Sequence, residues 1–175
     1  YRQELDLRRG MLTRCIAFED SQGRRSTLSE RRLVSMKDMH LGALQLSLRV
    51  DNWSAAVTVH SAIDGRVVNA GARLYRKFNN THLQPLAGEV IDKDSVCLRV
   101  RTSQSRLQVA QVARTRVLLD GSVLELERKA IEEPGYIGQK FDVTLQQGQT
   151  LVLEKLVSLY TSRDKATSEC ALQAR

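Results

Sequence analysis

The chain holds 175 residues, 42% of them hydrophobic and 27% charged, with a formal net charge of +7. That length suffices for one domain with a buried core, and the composition excludes a disordered chain, a collagen-like repeat and a fibrous coil. No run approaches the ~18 apolar residues that cross a bilayer, and the first residues carry Arg2, Glu4, Asp6, Arg8 and Arg9 where a secretion signal needs an apolar stretch. No membrane partner is expected. Cys15, Cys97 and Cys170 are odd in number and far apart, with neither a disulfide framework nor a Cys-x-x-Cys metal pattern, which fits a reducing cytoplasm.

Short alternating runs separated by Gly, Asp, Asn or Ser turns dominate, and helical periodicity is almost absent. Leu12, Arg14, Ile16 and Phe18 share one face of a run that ends at Asp20-Ser21-Gln22-Gly23, and residues 25–36 return as a strand. Leu44, Leu46, Leu48 and Val50 alternate with Ala43, Gln45, Ser47 and Arg49, the pattern of a half-buried antiparallel strand. Val57, Val59, Ser61 and Ile63 repeat it up to Asp64-Gly65, read as a two-residue hairpin with residues 66–69 beginning the return. Leu44, Leu46, Leu48, Val57, Val59 and Ile63 are the predicted core.

Beyond Pro85 the alternation resumes at Val96, Leu98 and Val100, at Leu107, Val109 and Gln111, and over residues 123–128. Pro134-Gly135 marks a turn, and residues 137–145 and 151–161 are two further strands. Both prolines are read as lying in connections, where a missing N–H costs nothing. About ten or eleven strands follow, which favours a two-sheet sandwich over one open sheet. Residues 163–175 hold good helix formers without alternation and read as a linker or helix start.

Chemistry is sparse. His40, His60 and His82 have no close spacing that pairs them as zinc ligands. Glu132-Glu133 are chain neighbours whose side chains point apart on an extended backbone, whereas glycosidic acid and base must face one bond. Neither a Gly-x-Ser-x-Gly elbow nor a phosphate-cradling P-loop is present. Asn52-Trp53-Ser54 and Asn79-Asn80-Thr81 match the glycosylation pattern by chance, and Trp53, the one tryptophan, is read as core filling. The basic pairs Arg8-Arg9, Arg24-Arg25, Arg31-Arg32, Arg76-Lys77 and Arg128-Lys129 are scattered, so no specific nucleic acid partner is expected.

Five blocks stand in order along the chain: Leu5-Asp6-Leu7-Arg8-Arg9-Gly10-Met11-Leu12; Arg32-Leu33-Val34-Ser35-Met36 with Asp38-Met39-His40-Leu41; Asn52-Trp53-Ser54; Ser61-Ala62-Ile63-Asp64-Gly65-Arg66-Val67-Val68-Asn69; and Leu159-Tyr160-Thr161-Ser162-Arg163-Asp164. Together they resemble the N-terminal domain of glycoside hydrolase family 65, the family of trehalose, maltose and kojibiose phosphorylases and related hydrolases. The resemblance implies an all-β, antiparallel two-sheet super-sandwich of the galactose-mutarotase type over residues 1–162, lacking its earliest strands. Residues 163–175 would then lead to a catalytic (α/α)6 barrel of the same polypeptide. That barrel carries the general acid and the phosphate site, so the expectation here is no catalytic, cofactor-binding or metal residue, no cofactor, and a non-catalytic scaffold. The implied partners are the barrel, an α-glucoside substrate in the parent enzyme, and a second copy in a homodimer. The alternatives are an independent carbohydrate-binding module, for which so few aromatic side chains make a poor platform, and a basic nucleic-acid-binding β-domain.

Overall fold

The protein is described by a computed structural model covering residues 1–69, 80–164 and 170–175. The pair Arg76-Lys77, and Asn79 of the second glycosylation pattern, lie outside the described residues. Among the described residues strands hold 64% and helix 3%, and the sheets are antiparallel, as the alternation predicts. The elements are β1 (Arg2–Asp6), β2 (Met11–Glu19), β3 (Arg25–Val34), β4 (Leu41–Val50), β5 (Ala55–Asp64), β6 (Leu83–Val90), β7 (Ser95–Thr102), β8 (Gln108–Leu119), β9 (Ser122–Val123), β10 (Lys129–Glu133), β11 (Tyr136–Leu145), β12 (Thr150–Thr161) and α1 (Cys170–Ala174). The larger sheet runs β1-β2-β3-β4-β12-β8-β7-β6 with β9 beside β8, and the smaller runs β10-β11-β5.

Where one core was expected, the chain divides into two compact units. The first comprises Tyr1–Val59, Arg114–Arg128 and Lys140–Val157, and the second His60–Ala113, Lys129–Gln139 and Ser158–Arg175. The strands β5, β8, β11 and β12 each contribute residues to both.

In the first unit three hairpins follow one another in register. Ile16 stands opposite Leu28, and Leu28 opposite Leu48; one row along, Arg14 faces Glu30 and Glu30 faces Leu46; the next row is Leu12, Arg32 and Leu44. Because side chains alternate across a strand, these rows share one face, and Val50 and Leu48 identify it as the inner one. Val50, Val117, Phe141, Val143, Leu145 and Leu151 form the buried core of this unit, with Leu48, Trp53, Val57 and Val59 packed against it. Each such side chain contributes about 1.5–3 kcal/mol by leaving water. Leu44 and Leu46, predicted for the core, are only half-buried and stand outside this cluster.

The second unit buries Ile63, Val96, Leu98, Val100 and Ile137. Here the Asp64-Gly65 hairpin is corrected. β5 ends at Asp64, the Gly65 N–H donates to the Gly135 carbonyl at 2.7 Å, and only Val68 pairs again, in an isolated bridge to Thr81. A side chain at Gly65 would meet Val100 Cγ1 at 2.9 Å and Leu98 Cδ2 at 3.1 Å, so glycine serves close approach rather than a tight turn. Pro85 is also misplaced by the sequence reading. It lies inside β6, the end strand of its sheet, beside an irregularity in the pairing with β7 at Pro85/Ala87, where an absent N–H breaks no ladder. On β8 the alternation marks Leu107, Val109 and Gln111, yet Ala110 and Val112 are the buried residues, because Cys170, Ala171 and Ala174 of α1 pack on them and on Cys97. Within residues 123–128 only Val123 is strand; the Leu124 N–H still donates to the Val117 carbonyl of β8 at 2.9 Å, and Leu124 and Leu126 pack against the first unit's core.

A candidate docking face on rigid turns

The blocks that carry the family resemblance fold as turns whose polar side chains satisfy their own backbone. At the β1–β2 turn Asp6 Oδ1 accepts the N–H groups of Arg8 and Arg9 at 3.0 and 3.1 Å, and Gly10 takes the left-handed φ of 63°. At the β3–β4 turn Ser35 Oγ accepts the Asp38 N–H at 3.0 Å and Asp38 Oδ1 accepts that of His40 at 3.0 Å, while Ser35 N–H donates to the Leu41 carbonyl. Register places both turns at one end of the first unit, since Met11 is opposite both Asp6 and Leu33, and Leu33 opposite Ala43.

These fixed turns hold apolar side chains out into water. Met36 is 96% exposed, Leu7 and Met39 84% each, and Leu5 and Val34 more than half. Beside them a groove of about 460 Å³ is lined by Leu5, Leu12, Val34, Met36, Leu44 and Val157. Scattered apolar residues on a surface need no explanation, but a contiguous group on a pre-formed scaffold marks an interaction surface. No site residue was expected from the sequence, and the overlooked signal is local. Leu7, Met36 and Met39 lie in turn segments, where Asp, Ser, Gly and Asn are the residues that turn geometry selects.

Asn52-Trp53-Ser54 clamps the other end of the same unit. Asn52 Oδ1 accepts the Arg25 N–H at 2.7 Å and its amide donates to the Gly23 carbonyl at 2.9 Å. Trp53 Nε1–H reaches the Arg25 carbonyl and Ser26 Oγ at 3.1 and 3.0 Å, and Ser54 Oγ accepts the Gln147 N–H at 2.8 Å. Asp20 closes the turn it clamps by accepting from Arg24 Nε at 2.7 Å, an interaction that holds its carboxyl below the usual carboxylate range.

In the second unit the Asp64-Gly65-Arg66 block forms a charged corner. Arg66 donates to both oxygens of Asp64 at 3.0 and 3.1 Å and to Glu133 Oε2 at 2.5 Å, with its guanidinium 4.4 Å from the Tyr136 ring centre. The Arg66 hydrogen bonds, side chain first and then backbone, lower the Asp64 pKa. Of the pair Glu132-Glu133, Glu133 therefore serves as an ion-pair partner. Gly135, at φ 77°, leaves room for the Arg66 side chain, which a Cβ would meet at 3.1 Å.

The basic pair of β3 is split between the two faces of its strand. Arg31 donates to Gln45 on one face of β3 while Arg32 pairs with Glu30 on the other, so this basic pair cannot act as one patch. Among the described residues no group of three or more His, Cys, Asp or Glu is placed to hold a metal ion, and no helix is long and apolar enough to cross a membrane.

The site residues stand on an all-β framework with hydrogen-bonded turns, and comparison with known proteins supplies its kind. Residues 1–175 match glycosyl hydrolase family 65, N-terminal domain, and the chain belongs to that family. It is 39% identical over its whole length to an uncharacterized glycosyl hydrolase of Mycobacterium tuberculosis, of which it spans 13%. Over 94% of its length it is 26% identical to a kojibiose phosphorylase and 27% identical to an alpha,alpha-trehalose phosphorylase, both of Thermoanaerobacter brockii, spanning 21% of each. A solved structure from the human microbiome, assigned as a kojibiose phosphorylase, superposes over 99% of the chain with a TM-score of 0.78 at 18% identity, and the chain spans 20% of it. That likeness confirms the fold. The chain spans between 13% and 21% of the length of these curated relatives.

Proposed function

We propose that this chain is a non-catalytic scaffold of a cytoplasmic parent enzyme that cleaves α-glucosides such as kojibiose, trehalose or maltose by phosphorolysis or hydrolysis. The observation that carries the reading is the group of apolar side chains, Leu5, Leu7, Val34, Met36 and Met39, held out on turns whose backbones are already satisfied. Such a surface suits permanent cover by another part of the polypeptide, and the catalytic (α/α)6 barrel, reached through residues 163–175, is its partner. Glycosidic cleavage needs a proton donor and a nucleophile on opposite sides of the scissile bond. Five carboxylates among the described residues are engaged with neighbouring side chains: Asp20 with Arg24, Asp64 and Glu133 with Arg66, Glu30 with Arg32, and Glu154 with Gln45.

The test compares the full-length protein with residues 1–175 on kojibiose, trehalose and maltose, with and without phosphate. Glucose 1-phosphate or glucose is expected from the full-length protein alone. Turnover by the purified 175-residue chain, abolished by changing one of its carboxylates to the amide, would overturn the scaffold reading. In the full-length protein, Leu7→Asp combined with Met36→Asp is expected to lower the melting temperature, and an unchanged one would remove these turns from the interface.

A further inference from the structure

The outer face of the larger sheet carries a cavity of its own in the first unit, on the side of β2, β3 and β4 turned away from Leu12 and the groove beside the turns. Register lines up two rows there. Met11 of β2 stands opposite Leu33 and Leu33 opposite Ala43; two residues along each strand, Thr13 stands opposite Arg31 and Arg31 opposite Gln45. Side chains alternate across a strand, so both rows share one face. Together with Glu154 and Leu156 of β12 they enclose about 260 Å³.

The polar row is connected in one direction. Arg31 donates to Gln45 Oε1 through Nε at 3.1 Å and through Nη2, the Gln45 amide donates to Glu154 Oε1 at 3.1 Å, and Arg116 of β8 reaches Glu154 Oε2 at 3.6 Å. These bonds hold the amide with its oxygen toward Arg31 and its nitrogen toward Glu154. The cavity therefore has a guanidinium donor on one side and a carboxylate acceptor on the other. A guanidinium has about five N–H donors and a carboxylate about four lone-pair sites, more than these contacts use. The neighbouring row is apolar, and Leu33 and Leu156 are 42% and 57% exposed. An apolar strip beside convergent donors and acceptors is the makeup of a small-molecule pocket.

We propose that this cavity binds a single glucopyranosyl unit, as a saccharide site of the module itself and apart from the barrel. The inference rests on the reading of the parent as an enzyme of α-glucosides, which supplies the ligand class. Neighbouring ring hydroxyls each donate and accept, so a pair of them can join Arg31 to Glu154 through charge-assisted hydrogen bonds while the C–H face of the ring lies on Leu33, Ala43 and Leu156. The apolar row takes the place of an aromatic platform. Sites for drug-sized ligands run from about 300 to 1,000 Å³, and a smaller cavity favours one ring over two. Occupancy keeps substrate or product on the protein outside the reaction centre.

The experiment uses the full-length protein and a glucoside that carries a photo-reactive diazirine on its aglycone, with labelled peptides mapped by mass spectrometry. The expected result is label on residues 31–33, 43–45 or 154–156 that excess glucose or kojibiose suppresses at least about tenfold and acyclic sorbitol does not. Label confined to the polypeptide outside residues 1–175 would overturn the site and leave the parent's activity on α-glucosides standing. Label on neither would overturn the site and count against that activity as well. Equal suppression by sorbitol and glucose would show adventitious binding of hydroxyls and overturn it too. Glucose 1-phosphate as competitor separates two sources of the ring: a lead over glucose assigns the site to the phosphorylated product, and parity assigns it to the sugar alone. Arg31→Ala removes the donor and Ala43→Trp fills the cavity. Each should cut labelling of these segments at least about tenfold while label outside residues 1–175 persists, and undiminished labelling in both would overturn the proposal.

Discussion

The inner face of one sheet behaves in two ways along its width. Near β12 and β8 it meets β11 and β5, and Val50, Val117, Leu145 and Leu151 vanish from solvent. Across β2 and β3 the same alternation produces Leu12, Ile16 and Leu28, only half-buried, interrupted by Arg14, Glu30 and Arg32. Period-two alternation states that a strand has an apolar side; whether that side is sealed depends on a second layer, which comes from strands remote in sequence. These charged side chains separate the two regions in the sequence itself, because a face sealed within the chain rarely retains two arginines and a glutamate.

The sharpest way to break this comparison is truncation on each side of it. Leu151→Ala, at a residue 2% exposed, should cost the 175-residue chain about 2–5 kcal/mol in denaturant unfolding. Ile16→Ala in the same chain should cost less than about 1.5 kcal/mol, since its cavity is already open to water. Equal losses would show that the two regions are sealed alike. Between these falls Asn52→Ala, which strips partners from the Arg25 N–H and the Gly23 carbonyl and should cost about 1–2 kcal/mol by the same measurement.

Self-association sharpens the comparison further. The open face and the β5 edge invite pairing when the chain is alone, so sedimentation at micromolar concentration should show species heavier than the monomer. Leu12→Glu should shift the distribution back, and a single monomeric species of the unaltered chain would contradict the open-face description. The smallest effect is expected at the Arg66 corner. Because Asp64 has a depressed pKa, its stabilising contribution is present above the unfolded value of 3.8 and is lost as pH falls through the lower folded one. Both partners are solvent-exposed, so melting curves of Asp64→Asn and the unaltered chain should nearly coincide at pH 7 and converge fully by pH 2.

Most strands were legible because alternation and turn residues are local properties. The run at Leu44 to Val50, the Asp20-Ser21-Gln22-Gly23 turn and the Pro134-Gly135 turn all stand where the residues place them. The errors came from information held elsewhere in the chain. Gly65 looks like a hairpin glycine until Leu98 and Val100 arrive from β7, and the buried side of Ala110 and Val112 depends on a helix sixty residues later. The candidate face was illegible for another reason: turn geometry selects Asp, Ser, Gly and Asn, and nothing in the local pattern explains Leu7, Met36 and Met39 there.

Cys97 and Cys170, distant in sequence, meet under α1, whereas Cys15 lies exposed on β2. Burial raises the Cys97 pKa and withholds the thiolate that reacts with alkylating reagents. The three thiols therefore form a built-in clock. Cys15 should be modified at the intrinsic rate, and the two others only as fast as the helix lifts from β7 and β8, so the slow phase of labelling times that opening without a probe having to be introduced.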